Sequence, residues 1–103
     1  MDGRLASSKK RKGILKKVMM YTNGMCPFCL MAKRIFDDLR VPYNEVRIDL
    51  NPKKRQEMVQ ASRRRTVPQV FIGDRHVGGC DDTQAALRSG QLEIWLKELG
   101  IYV

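Results

Sequence analysis

The amino-acid sequence predicts an α/β domain: a small four-stranded mixed sheet, one parallel pair plus one antiparallel hairpin, flanked by helices. Three observations carry the prediction. The chain has 103 residues, 43% of them apolar, which suffices for one modest core and not for two. Short apolar runs alternate with segments whose apolar residues recur at helical spacing, in the order β α β α β β α α. The first two strands are separated by a helix, as parallel neighbours require. The third and fourth are separated by a tight turn, as a hairpin requires.

Each element has a local reason. Val18-Met19-Met20-Tyr21-Thr22 is an apolar run closed by Asn23-Gly24 and reads as a buried strand. Cys26-Pro27 opens a helix, because the first turn tolerates proline's missing N–H. Cys29, Ala32, Ile35, Phe36 and Leu39 form its apolar face, Lys33, Arg34, Asp37 and Arg40 its polar one, and Pro42 ends it. Tyr43 to Leu50 alternates loosely and reads as the second strand. Asn51-Pro52 caps a second helix, roughly Lys53 to Ser62, whose few apolar positions are Met58, Val59 and Ala61. Arg63-Arg64-Arg65-Thr66 is a polar connection, and Pro68 precedes the third strand, Val70-Phe71-Ile72. Gly73-Asp74 is a hairpin turn into a very short strand at His76-Val77, which Gly78-Gly79 breaks. Asp81-Asp82 cap a third helix to about Arg88. Ser89-Gly90 interrupts it, and Gln91 to Leu99 is a last helix with Leu92, Trp95, Leu96 and Leu99 on one face.

Charge and cysteine usage narrow the function. The formal net charge is +9, and residues 1–17 carry seven basic side chains against Asp2 alone. Residues 1–13 therefore read as a basic flexible arm before a domain at 14–103. The arm run Lys9-Lys10-Arg11-Lys12 lacks interleaved aromatics, so a solvated tail is expected over a specific nucleic-acid or membrane contact. No apolar run reaches the ~18–20 residues of a membrane span, and no apolar h-region precedes the first strand. Three cysteines, an odd count, argue against a secreted disulfide scaffold. A cytoplasmic setting is expected.

The strongest chemical signal is Cys26-Pro27-Phe28-Cys29 after a strand and at a helix start. The first amides of a helix are unpaired and the dipole there is positive, so a negative sulfur at Cys26 is favoured. That predicts a lowered thiol pKa and a nucleophile near neutral pH. Cys29, one turn on and on the apolar face, is expected to be the more buried sulfur. Cys26 would attack a disulfide and Cys29 would resolve the mixed intermediate. Two rival readings are open. The pair could be inert core residues, or Cys26, Cys29, His76 and Cys80 could bind zinc. His76 reads better as a residue of an edge strand, and no metal is expected.

The blocks Tyr21-Thr22-x3-Cys26-Pro27-Phe28-Cys29, Thr66-Val67-Pro68-Gln69-Val70-Phe71-Ile72 and Gly78-Gly79-Cys80-Asp81-Asp82 resemble a dithiol glutaredoxin of the CPFC type. The resemblance spans about Val18 to Leu99. It implies a thioredoxin-like fold and glutathione-dependent reduction of protein disulfides and glutathione mixed disulfides. The partners it implies are glutathione, disulfide-bonded or glutathionylated proteins and, indirectly, glutathione reductase; a monomer is expected. It further implies a cis bond before Pro68, leaving the Val67 backbone open to pair with an extended peptide. The amides of Cys80 and Asp81 would take the γ-glutamyl carboxylate, and Asp82 or Asp81 the ammonium. The plainer reading makes both aspartates ordinary helix caps. Cys80 itself reads as a partly buried structural thiol.

Two positions depart from the family. Asn23 stands where many members have a lysine that meets the glutathione glycine carboxylate, and it brings no charge. Arg64 or its neighbours would substitute, with Gln60 a weaker candidate. Phe28 stands where tyrosine is common and joins the expected glutathione-binding set with Thr66. Some glutaredoxins hold a [2Fe–2S] cluster between two protomers, an alternative that Pro27 disfavours by stiffening the loop.

Overall fold

The computed structural model describes residues 18–102; the expected arm, 1–13, and the expected start of order at 14–17 lie outside the described residues. Strand β1 (Val18–Thr22) leads to α1 (Pro27–Leu39), β2 (Asn44–Arg47) and α2 (Pro52–Ser62). Then come β3 (Gln69–Ile72), β4 (Arg75–Gly78), α3 (Cys80–Ser89) and α4 (Gln91–Glu98). The sheet order is β2-β1-β3-β4. β1 runs parallel to β2 and antiparallel to β3, and β3–β4 is an antiparallel hairpin. This is a thioredoxin-like α/β fold.

The continuous apolar run of β1 has a simple cause: helices cover both faces of the sheet. Val18 and Met20 point to one face, where they pack with Ala32, Ile35 and Phe36 of α1, Ala86 of α3 and Leu92 and Leu96 of α4. Met19 and Tyr21 point to the other, against Met58 of α2 and Ile48. Each fully buried side chain of this size is worth about 1.5–3 kcal/mol, so the first face holds the larger share of the core. It also anchors α1, whose first turn carries the cysteines.

Several boundaries differ from the sequence-based expectation; β3 starts one residue early, at Gln69, and four others matter more. β2 spans Asn44–Arg47, not 43–50. Its register with β1 ends at Thr22↔Arg47, where β1 itself ends, so the chain beyond has no strand to pair with. Ile48 N–H makes one last bond to the Thr22 carbonyl, and Leu50, 73% exposed, is no core residue. α1 stops at Leu39, ahead of Pro42, with Arg40 left-handed at φ 60°. β4 is longer than His76-Val77, because an irregularity between Val70 and Phe71 lets Gly78 pair with Val70. The cap of α3 is Gly79, not an aspartate. Asp81 and Asp82 lie inside the first turn, where negative charge suits the helix dipole.

Candidate functional site: a dithiol beside a polar groove

Cys26 sits at the N-cap of α1 with extended backbone (φ −140°, ψ 105°), and Pro27 takes the first helical position. Its Sγ accepts the Cys29 N–H at 3.2 Å. On its other side the Cys26 thiol faces the Val67 carbonyl at 3.8 Å. Cys26 is half-buried, whereas Cys29 is 1% exposed. Burial pushes the Cys29 thiol up to about 12, and its hydrogen bond with Cys26 pushes the same way. The Asn23 backbone and the Lys33 ammonium oppose that shift. All three cysteines are free thiols. The two sulfurs of the pair thus differ in access: one can meet a substrate, the other only its neighbour.

Beside Cys26 lies a groove of about 220 Å³. Phe28, on the exposed side of α1, forms one wall. Thr66, Val67 and Pro68 form its floor, and the Val67–Pro68 peptide is cis. Gly79, Cys80, Asp81 and Asp82 at the start of α3, with Arg64, complete it. All eight residues singled out for glutathione therefore line one groove. Gln60 and Asn23 do not. The Asn23 side chain instead accepts the Met25 N–H at 3.0 Å.

Arg64 and Asp82 meet there. Arg64 Nη1 donates to Asp82 Oδ2 at 2.9 Å, and the same oxygen accepts the Gly79 N–H at 3.0 Å. Arg64 and then the Gly79 amide hold the Asp82 carboxyl below its ordinary value. The Cys80 thiol is buried, and burial followed by the nearby Asp81 charge raises it. The next amides of α3, those of Cys80 and Asp81, have no partner inside the helix. A carboxylate is the ligand such a helix start receives.

Two residues missing from the sequence-based site hold the floor in place. Gln69 is fully buried, and its Nε2 donates to the Thr66 carbonyl at 3.0 Å. Its Oε1 pairs with His76 Nε2 at 2.7 Å. The His76 ring also lies over Phe71, with centroids 4.9 Å apart. A buried amide must find partners, so Gln69 inside an apolar block was the available signal. Among the described residues, no three His, Cys, Asp or Glu side chains group as metal ligands. Nor is any helix there long and apolar enough to cross a membrane.

Comparison with known proteins agrees with this geometry. The family profile described as Glutaredoxin matches residues 18–77. Glutaredoxin 3 of Escherichia coli is 43% identical over 83 residues, 81% of this chain and 100% of the relative. A glutaredoxin of Pseudomonas aeruginosa is 40% identical over 79 residues, 77% of this chain and 94% of the relative. Among solved structures, a buckwheat glutaredoxin–glutathione complex superposes with a TM-score of 0.77 at 25% identity, covering 94% of this chain and 100% of that one. The solution structure of glutaredoxin from Brucella melitensis gives 0.71 at 40% identity, covering 84% and 94%. Given a CxxC pair at a helix start on this fold, and relatives matched over nearly their whole length, the chain belongs to the glutaredoxin family and is a thiol–disulfide oxidoreductase.

Proposed function

We propose that the protein is a dithiol glutaredoxin of the cytoplasm that uses glutathione as co-substrate to reduce protein disulfides and glutathione mixed disulfides. The observation that carries this reading is a half-exposed sulfur at a helix N-cap beside a groove that offers amides, a carboxylate and a guanidinium together. Glutathione presents the complementary set, two carboxylates and an ammonium on an extended backbone.

The Cys26 sulfur attacks a substrate disulfide, R–S–S–R′. A Cys26–S–R bond forms as R′S⁻ leaves and takes a proton. With a protein disulfide, the Cys29 sulfur then attacks Cys26 Sγ, expels the second thiol and closes a Cys26–Cys29 disulfide. Two glutathione molecules reopen it, leaving the dithiol and oxidised glutathione, which glutathione reductase renews. With a glutathionylated substrate, the adduct on Cys26 is resolved by one further glutathione, and Cys29 is not needed.

In the groove, the Val67 backbone pairs with the tripeptide backbone. The Cys80 and Asp81 amides take the γ-glutamyl carboxylate, and Asp82 takes the ammonium. Asp82 commits only Oδ2 to Arg64 and Gly79, so Oδ1 serves the ligand. Arg64, which also lines the groove, supplies the positive charge for the glycine carboxylate, replacing the family lysine whose position is Asn23 here. Phe28 and Pro68 flank the sulfur with apolar surface, and Thr66 keeps the floor in register.

The test uses two substrates. Cys29→Ser is expected to retain reduction of a glutathione mixed disulfide and to lose most reduction of a protein disulfide. Full activity in Cys26→Ser on either substrate would refute the assignment.

A further inference from the structure

Behind the dithiol, away from the groove residues, lies a second cavity of about 120 Å³. Both cysteines form part of its wall, and so do Lys33, Glu45 and Arg47. Its charges are arranged in two pairs. Lys33 Nζ lies 2.6 Å from Glu45 Oε2, and Thr22 Oγ1 donates to the same oxygen at 2.6 Å. Burial raises the Glu45 carboxyl, but the Lys33 and Thr22 hydrogen bonds and the Lys33 charge outweigh it and leave the group below its usual range. Arg47 is engaged separately, Nε and Nη2 donating to Asp49 at 2.8 and 2.7 Å. Tyr43 also lies within reach of the Lys33 charge, and Asp37 acts on the same phenol. Both cations are paired, but of the two only Lys33 acts on the Cys29 thiol, its charge opposing the upward shift.

Lys33 follows Cys29 by four residues on α1, so the two side chains are neighbours about 5–6 Å apart at Cβ, with Lys33 where the polar face borders the apolar one. We propose that Lys33 is a positioning residue for the resolving step: held by Glu45, which Thr22 holds in turn, it lines the rear cavity together with Cys29, and its ammonium stabilises the thiolate that Cys29 must become. The inference rests on the dithiol reading above. The need is chemical. Only the thiolate attacks, and the Cys29 thiol is buried and held far above neutral pH. In the step itself Cys29 gives up its proton, its sulfur bonds to Cys26 Sγ, the Cys26–S–R bond breaks, and the departing thiolate is protonated. No outside oxidant enters. Glu45 has a second part, since its charge offsets that of Lys33 and sets how much positive potential reaches the sulfur.

The test is the pH dependence of disulfide closure, followed in a single turnover after Cys26 has formed a mixed disulfide with a peptide. Lys33→Met removes the cation, so the midpoint for closure moves to higher pH and the rate at pH 7 falls roughly three- to tenfold. Glu45→Gln keeps an acceptor for Thr22 and unmasks Lys33, so the midpoint moves to lower pH. Lys33→Arg keeps the native midpoint. Opposite shifts in the Met and Gln variants are not produced by a structural role, which would slow both alike. Midpoints that stay in place, or move together, overturn the inference while leaving the dithiol reading intact. Should the native protein show no closure at all, the dithiol reading itself fails. If Lys33→Met does not fold, as read by its melting curve, the Glu45→Gln shift decides alone.

Discussion

Helices α1 and α3 both begin at the groove, but what receives their first amides differs. At α1 the receiver is the Cys26 sulfur, 3.2 Å from the Cys29 N–H. That sulfur is the atom the chemistry consumes and regenerates. At α3 a carboxylate reaches back instead, Asp82 Oδ2 to the Gly79 N–H at 3.0 Å, and the Arg64 guanidinium holds it charged. One helix start is therefore reactive and the other a fixed field. The same unpaired amides serve covalent chemistry in one place and ligand recognition in the other, depending on which side chain stands at the cap.

Exchange of the sulfur breaks the comparison hardest. Cys26→Ser is expected to drop disulfide reduction to background in a coupled turnover assay, yet to keep the native melting temperature, because serine is a good cap. Cys26→Ala is equally inactive but also loses the cap, at about 1 kcal/mol, or roughly 4–8 °C in a domain of this size. Equal melting of the two variants would show that the sulfur does not cap α1.

At α3 the sharpest perturbation is Gly78→Ala. Gly78 has φ +121°, and a Cβ there would run into the Asp82 carboxylate. The expected cost is about 1–2 kcal/mol in a urea titration from backbone strain alone, together with weaker glutathione binding as Asp82 is displaced. A native midpoint and native binding would show that the carboxylate has other room.

A smaller effect follows from Asp82→Asn, which keeps the shape and removes the charge. Loss of one charge-assisted contact, about 1.5 kcal/mol, raises KM for glutathione about tenfold and moves kcat little. The pH sign is fixed by direction. Arg64 and the Gly79 amide depress the Asp82 carboxyl. Its contribution is therefore present above the ordinary aspartate value of about 3.9 and is lost only as pH falls through the lower folded value. Steady-state KM of the native protein should show no Asp82 titration between about pH 5 and 8.

The smallest change belongs to the ion pair as a stabiliser. The Arg64 and Asp82 side chains are 47% and 44% exposed, so Arg64→Ala should cost at most about 1 kcal/mol. The difference in melting temperature from the native protein should vanish in about 1 M salt.

Much of the fold was legible because its signals are local. The apolar run Val18–Thr22 reads as a strand covered on both faces, and Leu92, Trp95, Leu96 and Leu99 read as a helix face. The cap of α3 was misread for an equally local reason. Asp81 and Asp82 are favoured cap residues, and nothing in their neighbourhood says that Gly79 takes the cap while Asp82 reaches back to it. β2 was overdrawn because alternation at 43–50 reports side-chain polarity, whereas strand length depends on where the partner β1 stops. The groove residues were legible only through the resemblance of three separated blocks, since no single block implies the others.

By itself the sequence determined the type and order of the elements, the α1 start at Cys26-Pro27 and the burial of Cys29, all of which follow from spacing within one turn or one strand. Tertiary structure alone decided that Arg64 meets Asp82, that Gln69 holds Thr66 and His76, and that Lys33 meets Glu45 behind the sulfurs. Apart from Gln69 and Thr66, these partners sit on different elements, and their approach is set by how helices pack on a twisted sheet. Hydrophobic period and capping preference do not encode that geometry.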